Sequence, residues 1–189
     1  MAKFTRRAIM QSFMKLLNEM PFDKITVKDI VADCNINRNT FYYNFKDIYD
    51  LLDEVLKDEL KKLRDNHKEP YHSWSEGLLY AADFALNNKK AVYHLHNSDK
   101  KAQFDKYFEK AIYGVVLEFV SEKAQSSEIS NGDVDFIAYF YCCGLMGLLN
   151  KWLDSGMKED FNEIICKTGI LFDSNMRDAV LSIEKMKRE

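Results

Sequence analysis

Residues 25–47 read Ile25-Thr26-Val27-Lys28-Asp29-Ile30-Val31-Ala32-Asp33-Cys34-Asn35-Ile36-Asn37-Arg38-Asn39-Thr40-Phe41-Tyr42-Tyr43-Asn44-Phe45-Lys46-Asp47. Thr26 can cap a helix whose apolar stripe is Val27, Ile30, Val31 and Cys34. Asn35 falls where the chain must turn sharply, and Asn tolerates a left-handed backbone better than most residues with a side chain. Ile36 plugs the turn. Asn37 can cap a second short helix, residues 38–43, with Phe41 and Phe45 as its inward anchors. Two short helices around a tight turn, the second offering Asn, Arg, Asn, Thr and Tyr outward, suit insertion into a DNA major groove.

Working outward, Ile9, Phe13, Leu16, Leu17 and Met20 fall at helical spacing and predict an amphipathic helix over 4–19, ended by Pro21. Asp47 reads as the cap of a long helix to about residue 66. His67 to His72, with Pro70, breaks the pattern. Ser73-Trp74-Ser75-Glu76 fits a capping box for a helix over 74–87. A short helix follows over 89–97, then a long one over 99–124. The polar stretch 125–133 reads as a loop. Residues 133–154 predict a helix apolar on more than one side, ended by Gly156. A helix over 159–172 and a separate tail helix from Asn175 complete the chain.

Composition agrees with a helical protein: two prolines and seven glycines, 47% hydrophobic and 30% charged residues. No apolar run reaches the roughly 18 residues a membrane span needs, so no membrane partner is expected. Met1-Ala2-Lys3-Phe4-Thr5-Arg6-Arg7 has no apolar signal core, and a cytoplasmic protein is expected. Residues 1–46 carry eight Lys/Arg against four Asp/Glu, a net of +4, whereas residues 47–189 carry a net of −7. A basic N-terminal end on an acidic remainder fits one nucleic-acid-facing part and one part doing something else. The expected domains are a helix-turn-helix unit over 1–46 and a larger helical unit over 47–189.

Cys34, Cys142, Cys143 and Cys166 form no C-x-x-C pair; they read as small apolar residues, with redox sensing as the alternative. His94 and His96, two apart on a helix, diverge by about 200° and cannot chelate together. His67 and His72 flank a loop with no Cys or acidic cluster at ligand spacing. No metal and no cofactor are expected. The absence of a P-loop, dinucleotide fingerprint, nucleophile elbow or H-E-x-x-H argues against an enzyme.

The run Ile25 to Ala32, the turn, and Thr40-Phe41-Tyr42-Tyr43-Asn44-Phe45-Lys46-Asp47 resemble the tetracycline-repressor (TetR) family of bacterial regulators over about the first 60 residues. Farther on, Gly144-Leu145-Met146-Gly147-Leu148-Leu149-Asn150-Lys151-Trp152-Leu153 is similar to the dimerisation segment of many members. Three positions depart from the common pattern: Asn35 stands for Gly in the turn, Asn37 for a Ser cap, and Asn44 for the His before Phe45. The resemblance implies an all-α fold: an N-terminal three-helix helix-turn-helix DNA-binding domain and a larger C-terminal helical ligand-binding and dimerisation domain.

From residue chemistry, Arg38 and Asn39 are candidates for base edges, because Arg matches guanine acceptors and Asn the adenine edge. Lys28 could reach a neighbouring base or phosphate, and Thr40 offers a hydroxyl to phosphate and a methyl to thymine. By resemblance Thr26, Asn37, Tyr42, Tyr43, Asn44 and Lys46 would clamp the DNA backbone, fixing register without reading sequence. Thr26 and Asn37 would also serve as caps without DNA, and one of the two adjacent tyrosines could be core. One such unit contacts few base pairs, so a homodimer on a near-palindromic double-stranded operator is expected. Gly144, Gly147, Leu148 and Trp152 are the interface candidates, with a monomeric bundle centre as the alternative. The resemblance further implies a small-molecule effector in an aromatic pocket, with Phe84, Tyr107, Phe108, Tyr139 and Tyr141 as candidates. A dimeric repressor released from its operator by that effector is the first expectation. A transcriptional activator, or a sensor controlled by a partner protein, is the second.

Overall fold

The computed structural model describes residues 2–66, 75, 79, 82 and 85–188. Its elements are α1 (Ala2–Glu19), a 3-10 turn (Phe22–Lys24), α2 (Val27–Asp33), α3 (Arg38–Asn44), α4 (Ile48–Asn66), α5 (Lys89–His96), α6 (Lys101–Ala124), α7 (Asn131–Asp154) and α8 (Phe161–Arg188). Among the described residues there is no strand. The expected helix over 74–87 and its capping box lie largely outside the described residues. The chain divides into two compact units, Met1–Asn66 with Ala85–Asp105, and His67–Phe84 with Lys106–Glu189.

In the first unit α1 packs on α2, α3 and α5. Ile9, Phe13 and Leu17 of α1, Ile30 of α2 and Phe41 of α3 are all fully buried. Phe13 meets Phe22 edge-on at 6.2 Å, and Phe41 lies 6.0 Å from Phe45. These contacts set the short helices on α1, because helices of seven residues are too short to hold themselves in water. α5 is fixed to the end of α1 by His94, whose Nδ1 lies 2.7 Å from the Leu17 carbonyl. His96 is buried. No group of three His, Cys, Asp or Glu able to hold a metal occurs among the described residues.

In the second unit α7 and α8 pack as an antiparallel hairpin. Its turn mirrors the one between α2 and α3. Gly156 takes φ 76°, its N–H reaches the Leu153 carbonyl, and the Met157 N–H reaches the Trp152 carbonyl. This closes the helix end with a Schellman pair. α7 starts two residues earlier than expected because Ser130 and Asp133 form a reciprocal capping box. α8 is one rod of 28 residues, not a helix over 159–172 followed by a separate tail. Asn175, expected to open a new helix, instead donates from Nδ2 to the Leu171 carbonyl at 2.6 Å, back along its own helix.

α7 bears on the membrane expectation. By length and composition alone this helix is apolar enough to cross a bilayer. Part of it seals the hairpin core through Ile137, Ala138, Tyr141, Leu145 and Leu149. The rest is the face described below.

Candidate nucleic-acid interface

The α2–turn–α3 segment is built from three short-range devices. Thr26 Oγ1 accepts from the Asp29 N–H, and the Asp29 carboxylate accepts from the Thr26 N–H (2.9 Å) and hydroxyl (2.5 Å). Those donors hold the Asp29 carboxyl below its ordinary pKa. Asn35 takes φ 52°, and the N–H groups of Asn35 and Ile36 close the end of α2 on the Ala32 and Val31 carbonyls. Asn37 Oδ1 then accepts from the Thr40 N–H (2.8 Å) and hydroxyl (2.9 Å), capping α3. Asparagine thus does the work expected of a turn glycine at one position and of a serine cap at the other.

The cap bonds divide the candidate DNA contacts into two sets. Lys28, Arg38, Asn39, Tyr42, Tyr43 and Lys46 are exposed. Tyr43 is 84% exposed, so neither tyrosine is core. Thr26 and Thr40 have spent their hydroxyl donors within the chain, on Asp29 and Asn37, whereas Asn44 has spent one of its two amide N–H groups, on the Thr40 carbonyl at 2.8 Å. Asn37 has used its acceptor, which leaves its amide as the group that can donate outward.

Sequence reasoning missed Arg6. Its Nη1 donates to the Asn44 carbonyl (2.8 Å), its Nη2 pairs with Glu54 of α4 (2.5 Å), and its guanidinium lies 4.4 Å over the Phe45 ring. Lys57, then Arg6, hold the Glu54 carboxyl below its ordinary pKa. Nothing local in the sequence marks Arg6, since its partners are 38 and 48 residues away. At the other end of α1, Lys15 pairs with Asp33 at 2.5 Å. Lys15 holds the Asp33 carboxyl below its ordinary pKa.

The interface candidates separate as well. Gly144, Gly147 and Leu148 are exposed along one side of α7. A Cβ on Gly147 would meet nothing within 4 Å, and one on Gly144 would touch only Phe172 at 3.7 Å. Trp152 is the correction: at 1% exposure it is buried in its own chain. Its Nε1 donates to the Glu159 carbonyl (2.8 Å) and its ring lies 4.6 Å from Phe161, so it pins the hairpin turn and offers no face to a partner.

Two of the aromatic candidates point away from each other. Phe84 lies outside the described residues. Tyr107 and Phe108 are half-buried on α6. Tyr141 is buried 4.6 Å from Phe172, whereas Tyr139, two residues earlier, is 52% exposed on the opposite side of α7. Two positions on a helix diverge by about 200°, so this pair cannot line one pocket within the chain. With Tyr139 stand Phe136, Phe140, Gly144, Gly147 and Leu148, an outward apolar row at i, i+3, i+4 spacing. The row is visible in the sequence as aromatics followed by glycines, and Tyr139, a pocket candidate by resemblance, belongs to it.

A capped tight turn, a braced helix behind and an exposed polar and aromatic helix in front define a helix-turn-helix DNA-binding unit. Residues 9–55 match the family model described as bacterial regulatory proteins, tetR family, and residues 72–174 match that of a transcriptional regulator C-terminal region. The second match spans more than half the chain, and the chain belongs to the TetR family of transcriptional regulators. It is similar to the HTH-type dhaKLM operon transcriptional activator DhaS of Lactococcus lactis subsp. lactis (strain IL1403), with 25% identity over 104 residues. That stretch covers 55% of this chain and 54% of the relative, so the match spans about half the relative's length. Among solved structures, the dihydroxyacetone kinase operon activator DhaS superposes with a TM-score of 0.68 at 20% identity, covering 96% of this chain and 97% of that one. A TetR transcriptional regulator from Streptococcus agalactiae 2603V gives 0.62 at 21% identity, covering 90% and 94%. At these identities the structural likeness speaks for the fold.

Proposed function

We propose that this TetR-family regulator reads a near-palindromic operator as a homodimer, with Arg38 and Asn39 on base edges. Tyr42, Tyr43, Lys46, Lys28 and the Asn37 amide hold the phosphates and set the register. The observation that carries the reading is the exposure of those side chains together on α3 and its flanks. Thr26 and Thr40 belong to the two helix caps and are secondary to that contact set, while Asn44 keeps one amide N–H for a phosphate. The outward row on α7, with the exposed Ile170 and Leu171 of α8, is the proposed two-fold interface. Its glycines let a second backbone approach. A regulator of this kind works in the bacterial cytoplasm.

For control, the first reading remains a small-molecule effector acting on the second unit and releasing a repressor from DNA, with Tyr107 and Phe108 the side chains kept for the ligand. A second reading, activation, is favoured by the name of the curated relative, an operon activator. Selection of bound fragments from random duplex DNA by the purified protein tests the shared core. The expected result is an enriched inverted repeat with half-sites about one helical turn apart; no enrichment at modest ionic strength would overturn it. Transcription in vitro from a promoter carrying that site then separates the two signs.

A further inference from the structure

The guanidinium of Arg6 joins three helices of the first unit. Asn44 is the last residue of α3, so the carbonyl that Arg6 meets is one left open at the negative end of that helix. Phe45, beneath the guanidinium, is the buried C-cap that ends α3. Glu54 lies on α4. Only a planar fork can serve a carbonyl, a carboxylate and a ring face at once.

We propose that Arg6 is a positioning residue for DNA binding, locking the C-terminal end of α3 onto α1 and α4 so that Arg38 and Asn39 meet the groove at a fixed angle. The proposal rests on the reading of α3 as the recognition helix. That helix has seven residues and one fully buried side chain, Phe41, so a rocking motion about Phe41 is resisted mainly at its ends. Asn37 fixes the start and Arg6 the finish. Because Glu54 neutralises the guanidinium and the Asn44 carbonyl takes a second donor, Arg6 acts on DNA through α3 and not by direct contact. Lys15–Asp33, a pair of the same length between α1 and α2, is a brace without this role and supplies the control.

The test uses the full-length protein and the operator duplex recovered by selection, with dissociation constants measured across a salt series. Arg6→Lys keeps the charge and loses the fork; it should weaken operator binding about tenfold, as expected when a charge-assisted bond is lost and fewer heads are competent. Arg6→Gln should weaken binding without changing the slope of log K against log salt, since no phosphate contact is removed. Glu54→Gln separates positioning from simple charge: removing an anion from a DNA-binding unit should tighten binding by electrostatics, whereas loss of positioning weakens it. Lys15→Ala should lower the melting temperature while holding operator affinity within about twofold. Hydrogen exchange at the Tyr43 to Phe45 amides should quicken in Arg6→Lys and not in Lys15→Ala. The assignment is overturned if Arg6→Lys leaves affinity and exchange unchanged, if Arg6→Gln lowers the slope by about one, or if Glu54→Gln binds tighter. Failure of the wild-type chain to select any duplex would strike the recognition-helix reading, and the exchange comparison would still decide the role of Arg6 in holding α3.

Discussion

The helix-turn-helix unit and the α7/α8 hairpin treat their surfaces in opposite ways. Around the turn, the apolar residues of α2 and α3 face α1, while caps, lysines, Arg38 and the polar edges of two tyrosines face out. On the hairpin, Phe136, Phe140, Ile170 and Leu171 are each more than half exposed, although the start of α7 is closed by its capping box. The first surface is polar and basic, suited to a polyanion; the second is apolar and, under the proposed pairing, would be covered by a second copy. The DNA-facing part of a regulator must leave its ligand reversibly, whereas the part that pairs it can stay covered.

The largest expected effect sharpens the first half of the contrast. Phe41→Ala removes a fully buried ring under the recognition helix and should cost about 3–5 kcal/mol. Calorimetry should show a lowered melting temperature and far-UV circular dichroism a loss of helix. A cost below about 1 kcal/mol would mean that α3 is not held by its core side.

Phe140→Glu tests the second half. Phe140 is 66% exposed, so the change should leave the helical signal of the chain intact. It should shift the protein toward monomer by light scattering and weaken operator binding by about 100-fold or more, since the second head is no longer tethered. An unchanged mass would place the pairing surface elsewhere.

Smaller again, Arg38→Ala and Tyr42→Ala should each weaken operator binding, Arg38→Ala by about 1–3 kcal/mol as for a lost base contact, with circular dichroism unchanged. Unaltered binding in both would break the assignment of this surface to DNA. Last, Asp29, Asp33 and Glu54 all have carboxyl pKa values held below their ordinary ones of 3.8 to 4.5. Their contribution to stability is therefore complete above those ordinary values and is lost as pH falls through the lower folded ones. The melting temperature of the DNA-binding unit should be flat near neutrality and drop below about pH 4, and Asp29→Asn should shrink that drop.

What could be read from the sequence was what is decided within four or five residues. Thr26, Asn35 and Asn37 announce a cap, a left-handed turn and a second cap because each acts on its immediate neighbours, and the structure places all three as read. Ser130 and Asp133 carried the same signal and were passed over inside a polar stretch. Roles set by distant partners were not legible. Trp152 looks like an interface anchor until Phe161 folds back over it. Tyr139 and Tyr141 look alike until Phe172 chooses one of them. Asp173-Ser174-Asn175 looks like a break, yet Asn175 bonds backward and the helix continues. Arg6 is one basic residue among several near the N-terminus until α3 and α4 arrive beside it.

The empty space beside Gly147 has a consequence for engineering and for natural variation. Alanine there is worth roughly 1 kcal/mol in helix propensity, so an isolated chain would gain by the exchange, while a closely apposed second helix would be pushed away by the added methyl. If α7 pairs as proposed, one hydrogen-to-methyl swap sets durability against partnership, and thermal screening of single chains would reward a variant that pairs less well.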